Sequence, residues 1–260
     1  MKNTVLITCG CSWTYGAGVG YQPGMSVDDY KQIVSNDDIC NSDSFRGILS
    51  RQYGFENINL SHCGSSNQRQ FRVIKKFFSS DRYKQLVDSG STIIVLHGIT
   101  STARNELYLV GKQEFANVCY DGRNFKEWAR WARPFVRYYY DHNNEVARLA
   151  EEMIFMNQFY QAKGIKNLWF DTFNHHDYPC AIDNLIRQEE HNRDLLSTLS
   201  TLNGLEQTDG KYHQSVWKED TNRLEVLVRN NYLNPISYHP TRQGHETIAD
   251  IIKQDLERII

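Results

Sequence analysis

The sequence predicts an α/β protein with a doubly wound, mostly parallel sheet of about five strands and helices on both faces. Residues 4–9 form a β-branched, apolar run without polar alternation, as a strand covered on both faces requires. Strand-like and helix-like segments then alternate along the chain, which is typical of parallel sheets. At 260 residues we expect a single domain over 1–260 with insertions at about 101–144 and 173–235.

The first two thirds of the chain contain the clearest elements. Apolar spacing and chain breakers predict, in order, an irregular polar stretch at 20–41, a helix at 44–53, a strand at 56–60, a helix at 67–87 bent near Ser79 and Ser80, a strand at 92–96, a helix at 145–163 and a strand at 165–170. Gly164 provides the stop signal of the long helix.

The last third begins with the second insertion. We expect a helical stretch at 181–201, a polar loop at 203–220, and a fifth strand or edge hairpin at 224–228. A final amphipathic helix follows Thr241, a plausible N-cap. Its apolar positions recur at helical spacing: Ile248, Ile251, Ile252, Leu256 and Ile259.

Ser12 is the first candidate for chemistry. It follows the first strand on a turn bounded by Gly10 and Gly16, and ligands of open α/β sheets bind at the carboxyl ends of the strands. The alternative is a helix N-cap, in which the Ser12 oxygen accepts from free backbone N–H groups.

His239 is the second candidate. Pro240 keeps it extended just before the last helix, so its ring is held on a short, rigid loop. An imidazole there can serve as the base that a serine nucleophile needs.

These residues resemble the motifs of the SGNH/GDSL hydrolases, a family of flavodoxin-like esterases and acetylhydrolases. The first block of that family is similar to residues 10–16, which read Gly-Cys-Ser-Trp-Thr-Tyr-Gly, with Cys11 where Asp is commonest. The second block is similar to the segment around Gly64, and the last to His239-Pro240 with the following Gly-His pair. The resemblance covers about half of the chain.

The resemblance implies Ser12 as nucleophile, His239 as base, and an oxyanion hole formed by Ser12 and Gly64. The chain departs from the family pattern at two positions. Thr100 stands where an oxyanion-hole Asn is expected, and Ile236 stands where the acidic partner of the histidine is expected. We expect Thr100 to assist the oxyanion hole.

The group that orients His239 has several candidates. One is a backbone carbonyl of the same loop, and another is a carboxylate of Asp209, Asp220 or Glu225. A third interpretation is that the site has lost its activity.

Substrate contacts are expected around the site and in the first insertion. The candidates are Trp13, Asn67, Arg104, Trp128 and Trp131. Residues 101–144 combine aromatics with arginines, which suits a substrate platform, a protein interface or a small helical subdomain.

Composition limits the partners. With 29 basic and 31 acidic residues, the chain lacks the charge signature of a nucleic-acid or membrane-surface protein. No run is long enough to span a bilayer and no secretory signal precedes the first strand, so we expect a cytoplasmic protein, with later incorporation into a virion or complex left open.

No cofactor and no metal are expected. The glycines after the first strand lack dinucleotide spacing, no P-loop sequence follows, and a flavin-phosphate loop would leave His239 without a role. His175, His176, Asp177 and Cys180 carry metal-ligand chemistry, but their spacing fits no common zinc pattern, and a solvated loop is the preferred interpretation. The six cysteines form no disulfide framework.

The sequence therefore predicts a serine hydrolase that cleaves a small acyl ester, such as an acetyl group, on a small molecule or carbohydrate. The competing hypothesis is a non-catalytic structural or binding module of a larger assembly, with residues 101–144 as its protein contact.

Overall fold

A computed structural model describes residues 3–34, 36–109, 111–119, 140–172, 212–213 and 232–260. The helices are α1 (Ser12–Tyr15), α2 (Val27–Ile33), α3 (Asp37–Asp43), α4 (Phe45–Tyr53), α5 (Asn67–Phe78), α6 (Asp81–Asp88), α7 (His142–Ala162) and α8 (Arg242–Ile259). The strands are β1 (Thr4–Cys9), β2 (Glu56–Asn59), β3 (Thr92–Ile99), β4 (Arg104–Leu109), β5 (Glu114–Cys119), β6 (Lys166–Asp171) and β7 (Tyr212–His213).

The central sheet has the order β2-β1-β3-β6-β7, and all of its neighbouring strands are parallel. The predicted fold class is confirmed. Strand β1 lies between β2 and β3, so the direction of strand addition reverses there. This reversal is the switch point at which open α/β sheets leave a crevice outside the carboxyl ends of their strands.

Two apolar layers cover the faces of the sheet. On one face Val5 and Ile7 of β1 join Phe71 of α5 and Met153 of α7. On the other face Leu6 contributes to a layer that contains Phe45 and Leu49 of α4, and Ile252 and Leu256 of α8. Successive side chains of a strand point to opposite faces, which is why β1 is apolar without alternation.

The predicted break near Ser79 and Ser80 is confirmed. Helix α5 ends at Phe78, and the Ser80 hydroxyl caps α6 by accepting from the N–H of Tyr83 at 3.3 Å. Helix α8 begins after Thr241, as predicted, and strand β3 continues to Ile99, beyond the predicted end at 96.

The stretch 20–41 was predicted to be irregular, and this is wrong. Helices α2 and α3 lie in it, each with a side-chain cap. The Ser26 hydroxyl accepts from the N–H of Asp29 at 3.1 Å, and the Asn36 side chain accepts from the N–H of Ile39 at 3.2 Å. Both helices are seven residues long, too short for an apolar stripe to be recognised.

The described part of the first insertion is a hairpin of β4 and β5. Tyr108 lies opposite Phe115 in the antiparallel register, with ring centroids 5.1 Å apart. Such cross-strand aromatic pairs stabilise two-stranded ribbons. The helical-subdomain interpretation is therefore wrong for residues 104–119, while the aromatic and arginine-rich part at 120–139 lies outside the described residues.

The second insertion is mostly outside the described residues, including the predicted helix at 181–201 and the predicted strand at 224–228. Strand β7 falls inside the segment predicted as a polar loop, so that prediction is wrong at residues 212–213. Among the described helices, none has the length and apolar character needed to cross a membrane.

Candidate active site

Three predicted site residues follow three adjacent strands at the switch point. Ser12 follows β1, Gly64 follows β2 and Thr100 follows β3. The segment after β2 continues beside the end of β1, because the N–H of Leu60 donates to the carbonyl of Thr8 at 2.8 Å and the N–H of His62 donates to the carbonyl of Gly10 at 3.1 Å. These bonds bring the segment that leads to Gly64 alongside the turn that carries Ser12.

Ser12 is the first residue of α1 and is 6% exposed. The N-cap is Cys11, whose side chain makes no capping hydrogen bond, so the interpretation of Ser12 as an N-cap is wrong. The first N–H groups of a helical turn have no intrahelical acceptor. Ser12 therefore combines a hydroxyl with a backbone N–H suited to a negative oxygen.

Two glycines fix α1 against the sheet. A Cβ at Gly10 or at Gly98 would overlap the side chain of Thr14, which is fully buried. The threonine therefore fits between the ends of β1 and β3 only because both neighbours lack a side chain. This packing sets the position of the helical turn that begins at Ser12.

Asn67 holds the segment after β3. Its Nδ2 donates to the carbonyl of Thr100 at 2.8 Å, and its Oδ1 accepts from the N–H of Thr100 at 2.9 Å. Gln70, one turn further along α5, donates from Nε2 to the carbonyl of Gly98 at 2.9 Å. The amide of Asn67 thus positions the backbone of Thr100, and its predicted contact with substrate stays a prediction.

Of the other residues predicted to contact substrate, the structure describes Trp13 and Arg104. Trp13 is 6% exposed and packs in the apolar layer with Leu6 and Phe45. Arg104 begins β4, and its charge acts on His239. Trp128 and Trp131 lie outside the described residues.

The loop that carries His239 is closed on itself. Leu233 and Pro240 form an antiparallel bridge, and the N–H of Thr241 donates to the carbonyl of Tyr232 at 2.8 Å. The loop packs against the chain just after α1. A Cβ added at Gly18 would lie 2.6 Å from the Cβ of His239, so only a glycine allows this approach.

A hydroxyl faces the His239 ring. Nδ1 lies 2.7 Å from Oγ of Ser237, and this Oγ lies 2.6 Å from the hydroxyl of Tyr30 and 3.0 Å from Oδ1 of Asn234. A backbone carbonyl of this loop was one candidate for orienting the ring, and the group found at Nδ1 is the Ser237 hydroxyl instead. The other candidates, Asp209, Asp220 and Glu225, lie outside the described residues.

This cluster is not among the site residues predicted from the sequence. Tyr30 lies on α2, in the stretch predicted to be irregular, and the available signal is Ser26 three residues before Asp29, which resembles a capping box. Asn234 and Ser237 carry no sequence signal of their own, because their roles arise only when the loop closes.

Burial, together with the smaller effect of the positive charge of Arg104, lowers the pKa of His239 to about 4. Both effects act in the same direction, because each disfavours a positive charge on the ring. The imidazole is therefore neutral at pH 7 and has a lone pair that can take a proton.

A cleft of about 630 Å³ lies between α5, the β4–β5 hairpin and α7. Asn67, which binds the Thr100 backbone, lines it together with Thr102 and Arg104, whereas Ser12 and His239 do not. Further along, Arg72 pairs with Glu106 at 2.6 Å and lies 4.3 Å above the ring of Phe115. The cleft is charged and wide enough for a small ligand.

No group of three or more metal-ligating side chains is found in the part of the chain that the structure describes. His175, His176, Asp177 and Cys180 are outside that part, so their interpretation stays a prediction.

No protein-family model and no curated protein sequence matches this chain. Solved structures do. The crystal structure of TesA matches at 11% identity and a TM-score of 0.50, over 99% of this chain and 100% of that chain. The acetyl xylan esterase Est2A from the rumen bacterium Butyrivibrio proteoclasticus matches at 11% identity and a TM-score of 0.51, over 98% of this chain and 64% of that chain.

A putative lipolytic protein of the G-D-S-L family from Desulfitobacterium hafniense DCB-2 also matches, at 11% identity and a TM-score of 0.42, over 97% of this chain and 99% of that chain. The likeness to TesA and to Est2A shows that the chain shares their fold, so the resemblance predicted from its motifs is confirmed for the fold.

Proposed function

We propose that this protein is a serine esterase of the SGNH type that cleaves a small acyl ester. Oγ of Ser12 attacks the ester carbonyl while Nε2 of His239 takes the hydroxyl proton. The tetrahedral intermediate collapses as His239 returns that proton to the leaving alcohol. Water, deprotonated by the same imidazole, then attacks the acyl-enzyme and releases the acid and the free serine.

The observation that carries the proposal is the position of Ser12 relative to the His239 loop. The serine begins a helix at the switch point of the sheet, and the loop with His239 packs against Gly18, six residues further along the chain. Two segments from opposite ends of the sequence thus come together just after the helical turn that carries Ser12.

The oxyanion hole is the second part of the proposal. The N–H groups of Ser12 and Gly64 bind the developing oxyanion, and the hydroxyl of Thr100 assists them. Asn67 supports this role because it fixes the Thr100 backbone with two hydrogen bonds. Donors that are held in place before the reaction stabilise the transition state without reorganisation.

The substrate we propose is an O-acetyl ester on a carbohydrate. The cleft of about 630 Å³ beside Asn67 and Arg104 has room for the alcohol part of such a molecule. The likeness in fold to an acetyl xylan esterase supports the same choice.

Labelling with a fluorophosphonate, followed by mass spectrometry of the peptides, tests the mechanism. We expect an adduct on Ser12 and a burst with an activated acetyl ester. Ser12→Ala should abolish the adduct, and His239→Ala should slow labelling about a hundredfold or more because general-base catalysis is lost. His62→Ala, at an exposed histidine on the Gly64 loop, is the matched control and should label like the wild type.

Absence of the adduct, under conditions in which a known esterase reacts, would overturn the proposal. It would favour the competing hypothesis of a non-catalytic module in a larger assembly.

A further inference from the structure

We propose, resting on the esterase function above, that Ser237 is the positioning residue of His239, and that Asn234 and Tyr30 fix the direction of its hydrogen bonds. In this arrangement Nδ1 of His239 carries the ring proton and Nε2 keeps the lone pair that accepts the proton of Ser12. A neutral hydroxyl thus takes the place of the carboxylate in a Ser-His-Asp triad.

Asn234 is fully buried at the centre of this network. Its Oδ1 accepts from the backbone N–H of Ser237 at 2.8 Å, and its Nδ2 donates to the backbone carbonyl of His239 at 2.9 Å. A flipped amide would place donor against donor and acceptor against acceptor at both contacts. The backbone therefore determines which end of the Asn234 amide is the oxygen.

The orientation of the Asn234 amide in turn determines the direction of the hydrogen bonds at two hydroxyls. Oγ of Ser237 lies 3.0 Å from the Asn234 oxygen, which can only accept, so the single Ser237 proton points there. The hydroxyl of Tyr30 lies 3.3 Å from Nδ2 of Asn234, which can only donate, so the tyrosine accepts from the amide. The Tyr30 proton is then available for Oγ of Ser237, 2.6 Å away.

The last contact follows from the others. The hydroxyl of Ser237 donates its proton to Oδ1 of Asn234, and one of its lone pairs accepts from Tyr30. Its remaining lone pair faces Nδ1 of His239 at 2.7 Å. Two acceptors cannot share that contact, so Nδ1 must carry a proton. The neutral ring then has its lone pair on Nε2, which is the tautomer that a general base for serine requires.

The lack of charge at Ser237 has a chemical consequence. An aspartate orients the histidine and also stabilises its imidazolium form, whereas a hydroxyl only orients it. Among the described residues, the charged group that acts on the ring is Arg104 of β4; the ring in turn acts on His245 of α8, and Tyr30 of α2 lies in the same hydrogen-bond network. With Arg104 and burial lowering its pKa to about 4, His239 stays a free base in mildly acidic solution.

The tautomer can be measured without any substrate. We expect the nitrogen and carbon NMR shifts of His239 at pH 7, assigned by comparison with His239→Ala, to show a protonated Nδ1 in the wild type. Ser237→Ala should give a mixture of tautomers. A wild-type ring protonated on Nε2 would overturn the inference, whatever the protein does with esters.

The pH profile of fluorophosphonate labelling gives a second readout. Ser237→Asp should raise the labelling midpoint by one pH unit or more, because a carboxylate stabilises imidazolium. Ser237→Ala and Tyr30→Phe should slow labelling about tenfold or more at pH 7, and Tyr21→Phe, whose ring lies against Tyr30, should not.

An unchanged midpoint in Ser237→Asp, or unchanged labelling in Ser237→Ala, would contradict the role of Ser237. Absence of labelling in the wild type would instead overturn the proposed function, and the NMR measurement would still decide the inference.

Discussion

At the scale of single residues, the approach of the two chain ends depends on Gly18. Its φ is 97°, in the left-handed region that other residues rarely adopt, and the Cβ of His239 and the carbonyl of Pro240 lie against its Cα. A glycine is required here for two separate reasons, the left-handed backbone conformation and the close contact with the His239 loop. Only the close contact concerns the proposed site.

A comparison of Gly18→Ala with Gly24→Ala separates the effect of the backbone conformation from the effect of the close contact. Gly24 also has a positive φ, 84°, but a Cβ there would meet nothing within 4 Å. We expect both variants to lose about 1–2 kcal/mol of unfolding free energy through backbone strain. Gly18→Ala should lose more, and should also slow labelling of Ser12, because the new methyl group displaces His239.

Urea denaturation measures the first effect, and the rate of fluorophosphonate labelling of the folded protein measures the second. Equal labelling rates in the two variants would show that the Gly18 contact does not position His239.

At the scale of elements, the start of α8 anchors the His239 loop. Oγ1 of Thr241 accepts from the N–H of Gly244 at 3.4 Å and donates to the carbonyl of Tyr232 at 3.1 Å. One side chain therefore caps the helix and closes the loop. The amphipathic spacing of α8 predicts where the helix lies, but the second bond exists only in the folded loop.

Thr241→Ala should lower the free energy of unfolding by about 1–2 kcal/mol, because both bonds are lost. Thr247→Ala is the matched control. Thr247 lies on the same helix, and its hydroxyl donates only to the carbonyl four residues before it, Gln243, at 3.0 Å. We expect that variant to change stability by less than about 0.5 kcal/mol in chemical denaturation. Equal losses would assign the effect to helix propensity instead of the cap.

Elements differed in how well the sequence predicted them. Strands β1, β2, β3 and β6 and the long helix α7 are confirmed, whereas β7 was not predicted. Strands β1, β3 and β6 and helix α7 span enough residues for their apolar pattern to be read. Helix α2 was missed because it has a single buried residue, Tyr30. That residue is the one that reaches the His239 network.

At the scale of the whole molecule, the two apolar layers enclose imidazoles that cannot be charged. His97 of β3 is fully buried, stacks on Trp169 with centroids 4.1 Å apart, and has Nε2 2.7 Å from the hydroxyl of Tyr160. His245 of α8 is also fully buried, against Phe45. Burial lowers the pKa of each to about 3.

These two residues should make the protein sensitive to mild acid. In the unfolded chain a histidine takes up a proton below pH 6.5, whereas in the folded protein it stays neutral down to about pH 3. The unfolded state thus binds more protons in this window, and stability falls as the pH falls, by about 1.4 kcal/mol per pH unit for each residue.

Urea titrations between pH 7 and pH 5 check this expectation. His97→Phe keeps the stacking on Trp169 but removes the titrating group, so the loss of unfolding free energy between pH 7 and pH 5 should be smaller than in the wild type by about 2 kcal/mol. His62→Phe, at an exposed position, is the control and should keep the wild-type slope. A slope in His97→Phe that equals the wild-type slope would contradict the expectation.

The sequence alone determined the fold class and the two residues of the proposed chemistry. The apolar period of a strand or helix is a local property, and Ser12 and His239 lie in short motifs that can be read without a partner. The tertiary structure decided what surrounds them. Tyr30, Asn234 and Ser237 meet at His239 only after α2 and the loop before α8 fold together, because a hydrogen-bond network depends on distances between segments that are remote along the chain.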